Sequence, residues 1–161
     1  MILEYAAGAA LVLAMLKGPQ VLKVTGRAQF AQQSRDAARL ADLRGIPIDY
    51  MLSVAALETG WGTGKVFQNT NNLFSITAGS SWRGVTFKAS TGFVFRVYNS
   101  WSESISDFTR LISSSKLYSS AYSFAKAGNS SAFFGALQKA GYAGSDLAYA
   151  EKLGRTLGVL V

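Results

Sequence analysis

The sequence predicts a mainly α-helical chain of the α+β class that carries one small β-hairpin. Three observations predict it. Apolar residues recur at helical spacing in the segments 28–44 and 49–59, and again after residue 100. A short stretch around Thr91-Gly92 alternates at period two instead. Hydrophobic residues make up 49% of the 161 positions and charged residues 16%, the balance of one globular domain with a sizeable core.

The elements follow in order. From Ala28 to Arg44, the residues Phe30, Ala37, Ala38 and Ala41 mark the apolar face of a helix that Gly45 ends. Pro47 sits just before the next helix, about Asp49 to Thr59, which is apolar nearly all round and is therefore expected at the centre of the domain. Gly60 closes it, where a helix C-cap favours glycine. Gly62 to about Gly84 is rich in Asn, Thr and Gly and reads as a loop. Val85, Phe87 and Ala89, then Phe93, Phe95 and Val97, give the hairpin its two strands. Ser100 and Glu103 form an S-x-x-E capping box that starts a helix running to about Ser113. Glycines at 128, 141 and 144 divide the remainder into two or three more helices ending near Leu160.

Residues 1–24 stand apart from the domain expected at 25–161. Ile2 to Leu16 is apolar except for Glu4, and Lys17-Gly18-Pro19 breaks it off. As a helix this segment reaches only about 22 Å, against the roughly 30 Å of a hydrocarbon core. A secretory signal puts positive charge ahead of the apolar stretch, whereas here Glu4 leads and Lys17, Lys23 and Arg27 follow. By the positive-inside rule that order keeps the following chain in the cytoplasm. Two readings fit: a helix packed in an assembly, or a segment that enters a membrane by a route other than ordinary secretion.

Composition excludes much chemistry. There is no cysteine and no histidine, which removes Cys and His nucleophile–base pairs, disulfides and the usual zinc sites. No cofactor and no metal is expected; catalysis would fall to carboxylates, Tyr, Lys, Ser or Thr. Sixteen Lys and Arg against nine Asp and Glu give a net charge of +7, which draws the protein to a polyanion. The cations are scattered singly, with no basic run interleaved with aromatics, so nucleic acid is not the expected partner.

Glu58 carries the expected chemistry. It is the lone carboxylate between Tyr50 and Val85, near the C-terminal end of the most apolar helix. Burial and the negative end of the helix dipole both favour its protonated form. A carboxylic acid still protonated near neutral pH can protonate a leaving glycosidic oxygen. A buried Glu that caps the helix or pairs with a nearby Arg is the structural alternative.

The residues around Glu58 carry a wider likeness. Gly45 to Gly62 reads GIPIDYMLSVAALETGWG, and this segment resembles the peptidoglycan N-acetylglucosaminidase family of flagellar wall hydrolases and autolysins, in which the Glu of A-x-x-x-x-E-[ST]-G-W-G is the catalytic acid. Asn71-Asn72-Leu73-Phe74-Ser75-Ile76 is similar to the family's N-N-L-F-G-I loop, and Trp82 and Gly84 follow at a similar distance. Phe95-Arg96-Val97-Tyr98, Ser100, Glu103, Ser104 and Asp107 resemble its next strand and helix. Ala140-Gly141-Tyr142-Ala143, with Tyr149-Ala150 after it, resembles its C-terminal segment, and Phe30, Gln33, Ala37 and Ala38 its opening helix.

The resemblance implies a lysozyme-like helical domain with a small β-lobe and a groove between them for a glycan strand. It implies cleavage of β-1,4 bonds in peptidoglycan, with Glu58 as general acid and Tyr142 near it to position the acetamido group or water. Trp61 and Trp82 become sugar-stacking candidates, each with core packing as its alternative. Asn71 and Asn72 would bond N-acetyl groups or shape their loop, and Phe74 completes the expected binding set. The partner implied is the peptidoglycan strand and the place of action the bacterial wall or periplasm. The odd segment 2–16 fits a membrane, virion or lysis-apparatus attachment.

One departure stands out. Many family members carry a second Glu in the β-lobe, but VTFKASTGFVFRV contains no carboxylate and is short. Inverting and retaining schemes both need a second group. Substrate assistance by the acetamido group, ring closure by the muramyl 6-hydroxyl as in lytic transglycosylases, or a weakly active domain that grips the wall are the alternatives left. Glu103 is accounted for by the capping box, and Asp107, one turn further on, by structure.

Overall fold

The structure is a computed structural model that describes residues 26–161; the expected segment 1–24 lies outside the described residues. The described chain forms seven α-helices and one two-stranded antiparallel sheet. In chain order these are α1 (Arg27–Ala38), α2 (Ile48–Thr59), α3 (Lys65–Thr70), β1 (Thr86–Lys88), β2 (Val94–Arg96), α4 (Trp101–Ser114), α5 (Ser119–Lys126), α6 (Ser130–Lys139) and α7 (Tyr149–Leu160), with a 3₁₀ turn at Lys116–Tyr118. The helical domain with a small hairpin lobe is the expected class.

Helix α2 is the central element. Met51, Leu52, Val54, Ala55 and Ala56 are buried on several of its sides, between α1 and α7. Removing a large apolar side chain of this kind from water stabilises by about 1.5–3 kcal/mol. Two aromatic groups organise the core. Phe30 meets Trp61, Phe67 and Trp101 at centroid distances of 6.1, 6.2 and 5.8 Å. Phe74 stacks on Phe108 at 4.0 Å, and Phe108 meets Tyr142 edge-on at 6.0 Å.

The first helix ends at Ala38, six residues before the expected Arg44. Asp42 explains the difference. Its carboxylate accepts the Arg44 N–H at 3.2 Å, a local bond that competes with the helical ladder. Thr109 and Ser106 on α4 then bond the Asp42 carbonyl and N–H at 2.6 and 3.0 Å. Arg44 and Gly45 both adopt left-handed φ, 51° and 79°, which turns the chain into α2.

Helix α3 falls within the stretch expected to be loop. It is only six residues long, too short for a helical period to show, and it is held by burial of Phe67 and Thr70. The hairpin pairs Thr86 with Arg96, Phe87 with Phe95 and Lys88 with Val94, and Thr77 bridges Phe95 from the other side. Helix α4 begins at the expected box. Ser100 Oγ accepts the Glu103 N–H at 3.2 Å, while Glu103 reaches back to the Asn99 N–H at 2.9 Å, one residue beyond the cap.

Asp107 on α4 anchors the β-lobe. It accepts from Tyr98 Oη and Arg96 Nη1, both at 2.7 Å, and from Arg110. Burial pushes its carboxyl up, but these three donors together hold it below the usual carboxylate value.

Candidate active site

The turn after α2 fixes where Glu58 sits. Gly60 takes a left-handed φ of 57° and its N–H returns to Ala56 and Leu57, closing the helix. Thr59 is buried, and its hydroxyl donates to the Ala55 carbonyl at 2.7 Å while accepting the Gly62 N–H at 2.9 Å. Trp61 folds back onto Phe30 with Arg27 over its ring at 5.2 Å. Each letter of E-T-G-W-G thus builds the turn that leaves Glu58 half-buried on the last turn of α2.

Tyr149, at the start of α7, donates its hydroxyl to Glu58 Oε1 at 2.8 Å. The Ser75 hydroxyl also favours the ionised form of this side chain. Burial raises the Glu58 carboxyl above its ordinary value, and those two hydroxyls oppose the rise without cancelling it. The Tyr149 ring stacks on Tyr142 at 6.2 Å, and Tyr142 meets Tyr118 at 5.9 Å. Burial lifts all three phenols, and the charge of Glu58 lifts Tyr142 and Tyr149 further, so none of them ionises in the range where Glu58 titrates.

The carboxylate inventory separates Glu58 from the rest. Asp36, Asp42, Asp49, Asp107, Asp146 and Glu151 each form an ion pair with an Arg or Lys, and Glu103 caps α4. Among the described residues, Glu58 is the one carboxylate whose hydrogen-bonded partner is a neutral hydroxyl, that of Tyr149. The Arg-paired alternative for it is therefore absent among the described residues.

The other expected site residues are only partly gathered here. Tyr142 lies beside Glu58, but its hydroxyl donates to the Phe74 carbonyl at 2.7 Å. The hydroxyl on Glu58 belongs to Tyr149, which was not among the predicted site residues. Phe74 is 1% exposed with its ring against Phe108, so the ring offers no face to a ligand. Asn72 is buried and fully engaged: Nδ2 donates to the Ile76 and Arg96 carbonyls at 2.9 and 3.0 Å, and Oδ1 accepts the Ile76 N–H at 3.0 Å. Asn71 is buried in the left-handed conformation, φ 55°, and donates to the Tyr98 carbonyl at 3.0 Å. In this structure all three side chains are engaged in holding the loop that carries Ser75, the loop-shaping alternative for the two asparagines.

The two tryptophans line separate hollows. Trp82 lines a hollow of about 330 Å³ with Tyr98, Glu103 and Asp107, and Arg96 lies 4.8 Å over its ring. A Cβ on Gly84 would fall 2.5 Å from this indole, which accounts for the Trp-x-Gly spacing. Trp61 lines a separate hollow of about 380 Å³ with Arg27, Arg35 and Leu160.

Comparison with known proteins places the arrangement. The family model described as "Glucosaminidase: Mannosyl-glycoprotein endo-beta-N-acetylglucosaminidase" matches residues 34–158. The chain belongs to the glucosaminidase family. This glucosaminidase-family chain is 35% identical over 131 residues to the peptidoglycan hydrolase FlgJ of Vibrio cholerae, covering 73% of the chain and 38% of that protein. It is 36% identical over 132 residues to FlgJ of Salmonella typhimurium, covering 72% and 40%. The chain thus spans less than half the length of these curated relatives. Among solved structures, the glycoside hydrolase domain of Salmonella typhimurium FlgJ superposes with a TM-score of 0.68 at 30% identity, covering 84% of this chain and 89% of that one. A peptidoglycan hydrolase from Sphingomonas sp. A1 gives 0.66 at 33% identity, covering 84% and 90%. The fold is the lysozyme-like one expected.

Proposed function

We propose that the domain is a glycoside hydrolase of peptidoglycan that cuts β-1,4 bonds beside N-acetylglucosamine in the glycan strand, with Glu58 as general acid. One observation carries the reading. Glu58 is the described carboxylate with no cation beside it, held half-buried against the neutral hydroxyl of Tyr149 in a family of glycosidases. Burial favours the protonated carboxyl, the form that can donate to a leaving oxygen. Tyr149 holds the carboxyl, and Tyr142 serves it indirectly by pinning the loop at the Phe74 carbonyl. Trp82 and Trp61 are proposed as outlying contacts for the strand. The place of action is the bacterial cell wall, for which the diffuse charge of +7 suits an anionic polymer. Attachment to a membrane or virion through residues 2–16 belongs to the same proposal and rests on the charge order of that segment.

A second reading has its own observation. No carboxylate stands between Glu58 and Glu103, so the β-lobe supplies neither a base nor a nucleophile. A lytic transglycosylase or an acetamido-assisted hydrolase needs neither. Mass spectrometry of fragments released from purified walls decides between them. Reducing N-acetylglucosamine ends support the glucosaminidase; 1,6-anhydro-muramyl ends would replace it with the transglycosylase, and reducing muramic ends with a muramidase. No fragments at all would leave a wall-gripping domain.

A further inference from the structure

The tyrosine hydroxyls of the domain are engaged with one exception. Tyr50, Tyr98, Tyr122, Tyr142 and Tyr149 each donate to a carbonyl or carboxylate oxygen. The hydroxyl of Tyr118 bonds nothing among the described residues, although its side chain is half-buried, and the oxygen is not sealed in the core. A tyrosine that packs its ring and leaves its hydroxyl in water has the form such residues take at binding surfaces. Its place in the fold is fixed. Tyr118 ends the 3₁₀ turn Lys116–Tyr118, its N–H bonds the Ser115 carbonyl at 3.1 Å, and its ring meets Tyr142 at 5.9 Å. Tyr142 stacks on Tyr149 at 6.2 Å, and Tyr149 holds Glu58. The free hydroxyl thus belongs to the third ring of a row that begins at the candidate acid.

We propose that Tyr118 is a substrate-contacting residue: with its ring held against Tyr142, its free hydroxyl bonds a sugar hydroxyl or acetamido oxygen of the glycan strand bound at Glu58. The inference rests on the reading of Glu58 as the acid and extends it to the path of the strand. Burial keeps this phenol protonated through neutral pH, so it can both donate and accept, which suits a sugar hydroxyl. Packing alone accounts for the ring against Tyr142 but calls for no hydroxyl, since phenylalanine would fill the same space without a polar atom to satisfy.

Tyr118→Phe removes the hydroxyl and keeps the ring. Binding is read by calorimetry with a soluble tetrasaccharide of alternating N-acetylglucosamine and N-acetylmuramic acid. Glu58→Gln protein, with and without Tyr118→Phe, is used so that the ligand is not cleaved. Loss of one hydrogen bond to the sugar predicts a Kd higher by about 3–10-fold. The melting temperature should be unchanged or slightly higher, because no protein acceptor loses its donor. With Glu58 intact, the KM for wall lysis should rise by a similar factor while kcat is retained. Equal Kd values with and without Tyr118→Phe, or a tetrasaccharide that binds neither protein, would overturn the inference and leave Tyr118 a packing residue. A melting temperature lower by more than about 3 °C would overturn it too, by assigning the hydroxyl to the fold. Glu58→Gln protein that still cleaves the tetrasaccharide would instead overturn the assignment of Glu58, and KM with and without Tyr118→Phe would then decide what Tyr118 does.

Discussion

Tyr149→Phe isolates the strongest contact that Glu58 makes. The substitution keeps the ring that stacks on Tyr142 and is 2% exposed, and removes one hydroxyl, 2.8 Å from Oε1. A hydrogen bond to a charged acceptor contributes about 1.5–3 kcal/mol. Since 1.36 kcal/mol corresponds to one pH unit, the protonated form of Glu58 should persist about one to two units higher. The sign follows from the physics. The bond stabilises the carboxylate, so losing it raises a carboxyl that burial already raises. Lysis requires the proton, so the alkaline limb of the pH–rate profile moves up rather than down. Stability should change in step. Above the Glu58 titration the ionised carboxylate has lost a donor and the variant melts lower than the parent, whereas below it the two converge. Turbidity loss of a wall suspension from pH 4 to 9, with melting curves across the same series, reads both. An alkaline limb that stays in place or moves to lower pH would refute the reasoning, because Tyr149 would then not be bonding the ionised acid.

Other consequences concern the framework. Asn72→Ala leaves the Ile76 N–H and the Arg96 carbonyl without their side-chain partner, at about 1–3 kcal/mol each, while the Ile76 carbonyl keeps the Arg96 N–H, so urea unfolding should show a loss of about 2 kcal/mol or more. Asp107→Ala removes the carboxylate partner of Arg96, which is 13% exposed on its side chain and keeps only the Thr77 carbonyl and the Trp82 ring, and should cost roughly 3 kcal/mol in the same assay. Because the Asp107 carboxyl is held below its unfolded value, its contribution is present above the unfolded pKa and is lost as pH falls through the folded one, so the gap between parent and variant should close in acid. A chain starting at Thr25 should fold and lyse isolated walls, since Lys17-Gly18-Pro19 breaks any helix continuous with the domain; an unfolded circular dichroism spectrum would assign the segment 1–24 to the core.

The fold was legible where pattern reports burial. The apolar α2, the period-two hairpin and the Ser100–Glu103 box each appear within a residue or two of their expected places. Where a local bond overrides the pattern, it was not. Ala41 continues the helical spacing of α1, yet the Asp42 turn stops the helix earlier, and α3 is too short to show a period. The site divides in the same way. Glu58 could be found because a lone acid in an apolar helix is anomalous by composition alone. Tyr149 could not, because it lies 91 residues away and nothing local marks a tyrosine as a hydrogen-bond donor to a particular acid. The Asn-Asn-Leu-Phe run was recognisable, but a motif does not say which side chains face ligand and which hold the loop. Here the buried Asn72 holds the loop.

The central claim is that Glu58 supplies the proton, and Glu58→Gln tests it most directly. Glutamine keeps the shape and can still accept from Tyr149, but has no proton to transfer. Lytic rate on purified walls and melting temperature should be measured on parent and variant from the same preparations. Loss of general-acid assistance predicts a rate lower by about 10²–10⁴. The carboxyl is raised in the fold, so its ionised form is a cost above that titration. The variant should therefore melt at or above the parent near neutral pH. Lysis at close to the parent rate would contradict the claim, and lost lysis with a large drop in melting temperature would assign Glu58 to structure instead.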